Sequence, residues 1–172
     1  MMDGKTAMKK CAVCMGIAVV SLTLISGSVK AQQPMVGIPS PLVAYESVRD
    51  AWAVAGLPVY IPTLLPVGYC QQDIIVIDKR LAEIFYRNDA YKEILFRMAK
   101  GDSDISGDST QYEENRVVQV GRQYIRLKGN NKLVHLALWS RGAYTFSLSF
   151  EEPVSAEAVQ SIVSTIPWGT NP

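Results

Sequence analysis

The chain has 172 residues, of which 48% are hydrophobic and 19% charged, and its formal net charge is +1. This length fits one domain once a terminal targeting segment is set aside. The near-neutral charge gives no electrostatic reason to expect nucleic acid or an anionic membrane as a partner. Outside residues 1–31 the chain has one histidine and one cysteine, too few for a transition-metal site of the usual His/Cys type.

The N-terminus has the pattern of a secretory signal peptide. Three lysines precede the uncharged, mostly apolar residues 11–29, and Ala31 completes a cleavage site of small residues. We therefore predict a signal peptide at residues 1–31, cleaved after Ala31, and a secreted or extracytoplasmic protein. An uncleaved membrane anchor is the alternative, because residues 11–29 approach the roughly 20 residues that span a bilayer.

A spacer and a helix follow the predicted signal peptide. Residues 32–43 contain three prolines and a glycine, a composition that predicts a flexible spacer. Val48, Trp52 and Ala55 then share one face at helical spacing, and Gly56 predicts the end of that helix. Trp52 is expected to anchor the helix to a sheet.

The middle of the chain has the period of two that is typical of strands. The predicted strands are residues 74–77, 81–86, 93–98, 116–120, 123–128, 133–139 and 143–150. Ser155 is a good N-cap for a final helix with an apolar stripe. The stripe consists of Val159, Ile162, Val163 and Ile166, and we expect it to be buried with Trp52, Trp139 and Phe146.

These elements predict an α+β fold. We expect an antiparallel meander of about six or seven strands, with an N-terminal and a C-terminal helix packed on the sheet. The domain is predicted to cover residues 44–167 and to be followed by a tail at 168–172. After cleavage only Cys70 remains of the cysteines, and it is either a buried thiol or a thiol available for an intermolecular bridge or a reaction.

The sequence contains no strong pattern of catalytic residues. His135 is the only histidine, and it stands in a predicted strand between apolar neighbours, where a hydrogen-bonded structural histidine is the usual interpretation. The acidic pairs at 113–114 and 151–152 are adjacent in sequence and are expected to be solvated. Phosphate-binding glycine loops are absent from the sequence. We therefore predict that the protein is not an enzyme and uses no cofactor.

The loop at residues 101–113 has the ligand spacing of a calcium-binding loop, with Gly107 at the sharp turn. The candidate ligands are Asp102, Asp104, Ser106, Asp108 and Glu113, with Asp108 contributing a backbone oxygen. Ser109 replaces the apolar residue usual in the middle of such loops, and strands rather than helices flank the segment. An ordinary solvated loop is the alternative.

Eight aromatic residues either pack in the core or line a cavity for an apolar ligand. They are Phe85, Tyr86, Tyr91, Phe96, Trp139, Tyr144, Phe146 and Phe150. The core interpretation is the more usual one for such residues in a sheet covered by helices.

Several segments occur in the order of a known family. They are PTLLPVGY at 62–69, IFYRN at 84–88, ILFRMAKG at 94–101, DISGD at 104–108, LKGN at 127–130 and ALW at 137–139. Together with the final helix they make residues 44–167 resemble domain of unknown function family 4367. The resemblance implies an extracytoplasmic domain of Gram-positive bacteria, either exported alone or placed behind an anti-sigma region. No catalytic residues are assigned to that family, and the ten residues before the apolar run are too few for a sigma-binding domain.

The sequence thus favours a non-catalytic extracytoplasmic binding or sensory module. Its partner is expected to be an extracytoplasmic protein, a peptide or an envelope component, with a membrane as partner only if the signal segment stays uncleaved. The alternatives are a carrier of an apolar or lipid-like ligand and a calcium-binding envelope protein.

Overall fold

The computed structural model describes residues 40–167, which belong to one compact unit. The elements are β1 (Leu42–Tyr45), α1 (Val48–Ala55), β2 (Cys70–Ile77), β3 (Leu81–Arg87), β4 (Glu93–Lys100), β5 (Glu114–Val120), β6 (Gln123–Asn130), β7 (Leu133–Arg141), β8 (Tyr144–Val154) and α2 (Ala156–Ser164). All seven predicted strands form within a few residues of their expected bounds, so the antiparallel α+β class is confirmed. The predicted signal peptide, most of the predicted spacer and the tail at 168–172 lie outside the described residues.

Strand β1 corrects the predicted spacer. It pairs antiparallel with β2, with Leu42 opposite Ile77 and Tyr45 opposite Ile74. Four residues with mostly exposed side chains show no alternation of burial, so the strand carries no period-two signal and is held by its backbone pairing. The first helix therefore follows a strand and is not the first element of the described fold.

The sheet has eight strands in the order β1-β2-β3-β4-β8-β7-β6-β5, and every neighbouring pair is antiparallel. This order corrects the prediction of one meander of six or seven strands. Two successive four-stranded meanders meet where β4 pairs with β8, with Phe96 opposite Leu148. Residues 101–113 must consequently connect β4, at the centre of the sheet, to β5 at its edge.

Each half of the sheet has its own helix. Helix α1 begins at Ser47, whose Oγ accepts a hydrogen bond from the Asp50 amide at 3.4 Å, and ends at Gly56. Gly56 has a φ of 64°, a left-handed conformation that favours glycine after a helix. Helix α1 contacts β1, β2 and β3, whereas α2 contacts β5 and β7.

The two helices pack on one face of the sheet, which we call the helix face. A single apolar core lies between them and that face. Trp52 and Phe146 are fully buried, and the Trp139 ring stacks on Phe146 with centroids 5.3 Å apart. The apolar stripe of α2 joins the same core. The predicted burial of these residues is confirmed. Of the predicted aromatic core, Tyr91 is the clear error, because it stands in the β3–β4 turn and is 80% exposed.

Cys70 is an exposed free thiol, so the interpretation as a buried thiol is wrong. It is the first residue of β2, and burial along that strand begins only at Ile74. The part of β2 that carries Cys70 extends beyond the apolar core.

Candidate functional site

The opposite face of the sheet carries a row of polar side chains. Because successive side chains of a strand point to opposite faces, Arg97 projects away from the core that contains its neighbours Phe96 and Met98. Arg97 pairs in register with Glu83 on β3 and with Ser147 on β8. The Arg97 Nε atom donates a hydrogen bond to Glu83 Oε1 at 2.6 Å, and Glu83 is only 3% exposed.

Residues 101–113, which we call the strap, cover this row. Arg97 Nη1 donates to the backbone carbonyl of Ser106, and Ser106 is 4% exposed. Gly107 turns the strap at a φ of 65°, and a Cβ atom there would lie 3.2 Å from Arg97 Nη1. Glycine at this position therefore permits both the turn and the close approach of the guanidinium group.

Further contacts attach the strap to the sheet along its length. The Thr145 hydroxyl of β8 donates to the Ser103 carbonyl at 3.1 Å. The Glu113 amide donates to Asn130 Oδ1 of β6 at 2.9 Å. The Tyr112 ring stacks on His135 of β7, with centroids 5.5 Å apart. The strap thus crosses the sheet from β4 to β5 and contacts each of the strands between them.

The carboxylates of the predicted calcium loop hydrogen-bond within the strap. Asp104 Oδ1 accepts from the amide and the hydroxyl of Ser106 at 2.9 and 2.6 Å. Asp108 accepts from the Thr110 amide at 2.8 Å and from the Tyr112 hydroxyl at 2.5 Å. These are local turns in which an aspartate caps an amide two residues further along the chain.

The five predicted ligands lie in different environments. Asp102 and Glu113 are exposed, whereas Ser106 is buried with its carbonyl against Arg97. Within residues 40–167, no group of three His, Cys, Asp or Glu side chains is arranged to hold a metal ion. Calcium binding stays a prediction, and the hydrogen bonds of Asp104, Ser106 and Asp108 help to shape the strap.

Two strap carboxyls are stabilised in the ionised form. Burial alone would raise the pKa of Asp104, but the hydrogen bonds from Ser106 and the charge of Lys128 hold it below its ordinary value of 3.8. The Lys128 Nζ atom lies 3.6 Å from Asp104 Oδ2. The pKa of Asp108 is lowered in the same way, because hydrogen bonds from Thr110 and Tyr112 outweigh the effect of burial.

A groove of about 320 Å³ lies between the strap and strands β5–β8, and we call it the strap groove. It is lined by Asp102, Ser103, Asp104, Val117, Tyr124, Arg126, Leu138, Trp139, Ser140 and Thr145. Tyr124 is 67% exposed, which leaves its ring available as a flat surface for a ligand. Carboxylates from the strap and the guanidinium of Arg126 from β6 give the groove charges of both signs.

A second groove, of about 260 Å³, lies at the other side of the strap and contains His135. His135 is half-buried and stacked on Tyr112, so its ring helps to hold the strap against β7. The acidic residues beside it have other partners. Glu151 pairs with Lys92 at 2.7 Å, and Glu93 pairs with Arg87 at 3.1 Å.

The residues that hold the strap were missed by the sequence reasoning, although one signal was present. Glu83 and Arg97 are single charged residues in the middle of otherwise apolar strands. Charges at such positions need partners, so they indicate a covered polar face on the far side of the sheet. Tyr124 and Arg126 alternate with buried residues of β6 and carried no distinct signal.

Comparison of the chain with protein-family models, with curated proteins and with solved structures finds no significant match. The resemblance to domain of unknown function family 4367 therefore stays a prediction based on the order of its motifs. Among the described residues, no helix combines the length and the apolar character needed to cross a membrane.

Proposed function

We propose that the chain is a non-catalytic extracytoplasmic binding or sensory module, and that its ligand-binding surface is the strap groove. The observation that carries the proposal is the exposed Tyr124 ring within a groove of about 320 Å³ that carries charges of both signs. Ligand sites typically combine an apolar surface with a few polar groups that orient the ligand. The exported location rests on the N-terminal signal pattern.

The lining of the strap groove indicates a polar ligand. The flat Tyr124 ring suits the apolar face of a sugar ring, while Asp102, Arg126 and Ser140 offer acceptors and donors for hydroxyl groups. Such a combination favours a hydroxyl-rich envelope component, such as a short glycan, over a purely apolar ligand. The groove is open to solvent, which suits the binding of a segment of a longer polymer.

Binding is tested by titrating soluble glycan fragments of a bacterial envelope into the ¹⁵N-labelled chain. We expect amide shifts to concentrate at the strap groove, around Ser103, Arg126 and Ser140. Tyr124→Ala should weaken binding by about tenfold, equivalent to about 1.4 kcal/mol, because the ring loses its contact with the ligand.

Tyr91→Ala is the matched control. Tyr91 is 80% exposed in the β3–β4 turn and does not line the strap groove. If Tyr91→Ala and Tyr124→Ala weaken binding equally, the interaction is not specific to the groove. Shifts confined to another surface would contradict the proposed site.

The carrier alternative has one observation in its favour. A groove of about 370 Å³ beside edge strand β1 is lined by Pro41, Val43, Tyr45 and Val76, among others. This groove is open to solvent, and Asp78 and Lys79 also line it, whereas the helix face is filled by its own side chains. Saturable binding of a fluorescent fatty acid that is lost in Val43→Asp would favour the carrier.

A further inference from the structure

The reverse side of strands β1–β3 carries apolar side chains that neither helix covers. Helix α1 packs on the other side of these same three strands, and α2 contacts β5 and β7. The strap contacts described above lie on β4 and the strands beyond it. We call the surface the open patch, and its residues are Leu42, Ala44, Ile75, Ile77, Leu81 and Phe85.

The strand register places these side chains on one face. Leu42 lies opposite Ile77, and Ile77 lies opposite Leu81, so the three point to the same side of the sheet. The alternate residues of β2, Ile74 and Val76, point to the helix face and belong to the core. Strand β2 is therefore apolar on both faces. An antiparallel strand with one face in water normally alternates, so this composition indicates a second cover.

The open patch is accessible and holds no unpaired charge. Leu42 is 52% exposed, Ala44 is exposed, and the other members are partly exposed. Glu83, between two members of the patch on β3, is only 3% exposed and is paired with Arg97 at 2.6 Å. Covering the patch would remove apolar surface from water without leaving an ion unpaired. Contiguous apolar surfaces of this kind mark interaction sites.

The two ends of the open patch differ in charge. Asp73 on β2 and Glu46 after β1 lie at one end, and both are exposed. The opposite end is the β2–β3 turn, which contains Lys79 and Arg80. Arg80 Nη2 lies 3.8 Å from Asp78 Oδ2, but both side chains are largely exposed, so this pair contributes little. The patch thus has an acidic end and an end with a net positive charge.

We propose that the open patch is an interface between two copies of this chain, stacked face to face with their β2 strands running in opposite directions. A two-fold axis presents the same surface from both copies, and stacked sheets keep their strands aligned within about 30°. Opposite strand directions bring Asp73 of one copy to Arg80 of the second copy. Parallel strands would instead bring like charges together, so the charge distribution selects the opposite directions.

The size of the open patch determines the strength of the dimer. Three strands about 4.8 Å apart, over about 15–20 Å of length, give a surface on the order of 300 Å². Stable interfaces bury about 800 Å² on each partner. The dimer is therefore weak, and it dissociates at micromolar concentrations while each domain keeps its own core.

Adjacent residues of β1 provide a matched pair of variants for the test. Leu42 belongs to the open patch, whereas Val43 lies opposite Val76 and points to the helix side. The two side chains are 52% and 47% exposed, so aspartate at either position should leave the melting temperature nearly unchanged. Only Leu42→Asp places a charge inside the proposed interface.

Sedimentation equilibrium of the full chain, from about 10 μM to about 1 mM, measures the association. We expect the average mass of the parent to rise towards that of two copies. Leu42→Asp should weaken the dimer at least about tenfold, and Val43→Asp should leave it unchanged. All variants keep the same N-terminal segment, so a difference between them reports on the patch.

Charge reversal tests the direction of the strands. Asp73→Lys and Arg80→Glu should each weaken the dimer by about three- to tenfold, because each creates two like-charge contacts across the two-fold axis. The double variant should recover the parent affinity within about twofold, since opposite charges meet again.

Three results would overturn the proposal. One is a parent chain that stays monomeric over the whole concentration range. Another is equal weakening by Leu42→Asp and Val43→Asp, which would place the contact at the edge of β1 instead of on the face. The last is a double charge reversal that associates no better than the single variants, which would exclude the opposite strand directions. The strap groove shares no residue with the open patch, so its own test is independent of these results.

Discussion

The helix face and the strap face of the same sheet are stabilised by different kinds of interaction. Under the helices, large apolar side chains such as Trp52 and Phe146 are removed completely from water. Under the strap, the polar contacts are an ion pair between buried Glu83 and partly buried Arg97 and a hydrogen bond from Arg97 to the Ser106 carbonyl. Apolar burial is non-directional and tolerates adjustment, whereas the polar contacts of the strap depend on the position of each partner.

The difference suggests how folding and function are divided in this protein. The helix face supplies the apolar burial that stabilises a domain without disulfides among its described residues. The strap contributes less apolar contact and leaves open grooves on both of its sides. Binding surfaces are commonly found on such loops, held by a rigid scaffold.

The largest expected effect lies on the helix face. Trp52→Ala removes a fully buried indole that joins α1 to the sheet, so we expect the free energy of unfolding to fall by about 3–5 kcal/mol. Chemical denaturation measures the change. Tyr91→Ala, at an 80% exposed position, should change stability by less than about 0.5 kcal/mol. A loss below about 1 kcal/mol for Trp52→Ala would contradict the placement of the core.

Breaking the Glu83–Arg97 ion pair under the strap should have the next largest effect on stability. Arg97→Ala leaves the Glu83 carboxylate buried without its partner and detaches the Ser106 carbonyl, so we expect a loss of about 3 kcal/mol. Replacing both charged residues by leucine should recover most of this loss, because no buried charge remains. If the double variant is as unstable as Arg97→Ala, the loss does not come from the unpaired carboxylate.

Removing a single hydrogen bond of the strap should lower the stability by less than breaking the ion pair. Thr145→Val keeps the shape of the side chain but removes the donor to the Ser103 carbonyl, and should cost about 1 kcal/mol. Hydrogen exchange should quicken in the first part of the strap and stay unchanged in the helices. Faster exchange spread evenly over the domain would show that the strap does not open separately from the core.

Acid should weaken the strap before it affects the helix face. The pKa of Asp104 is lowered in the folded protein, so its ionised form contributes stability above its unfolded pKa. This contribution is lost as the pH falls through the folded pKa, below about pH 4. The unfolding midpoint should therefore decrease more between about pH 5 and pH 3 for the parent than for Asp104→Asn. Parallel decreases in both proteins would show that Asp104 does not contribute.

Calcium should have the smallest effect. The Asp104 and Asp108 carboxylates already accept hydrogen bonds from strap residues, so the melting temperature should be the same with millimolar calcium and with a chelator. The same should hold for Asp104→Asn. A calcium-dependent rise in the parent alone would show binding to the folded state and would support the predicted calcium loop.

The sequence predicted elements better than it predicted contacts. Strand β8 was evident because Phe146, Leu148 and Phe150 alternate with small polar residues. The pairing of β4 with β8 was not evident from the sequence, because strand order depends on partners distant in the chain. Strand β1 was missed because its residues have no alternating burial.

The strap shows that one sequence pattern can fit two kinds of loop. A calcium loop places oxygen ligands two residues apart, and an aspartate that caps a turn also acts on the residue two positions later. Asp104 and Ser106 satisfy both patterns, whereas Asp108 and Thr110 show only the turn pattern. The contact of the Ser106 carbonyl with Arg97 could not be read from the spacing, because it depends on how the whole sheet is assembled.

The position of the strap on the sheet is tested most directly by the contact between the Tyr112 and His135 rings. These rings are stacked with centroids 5.5 Å apart, although their residues belong to the strap and to β7. A nuclear Overhauser measurement on the full chain should show cross-peaks between the ring protons of Tyr112 and His135. The cross-peaks should weaken in Arg97→Ala and persist in Tyr91→Ala. Their absence from the folded parent protein would contradict the strap and the groove that it borders.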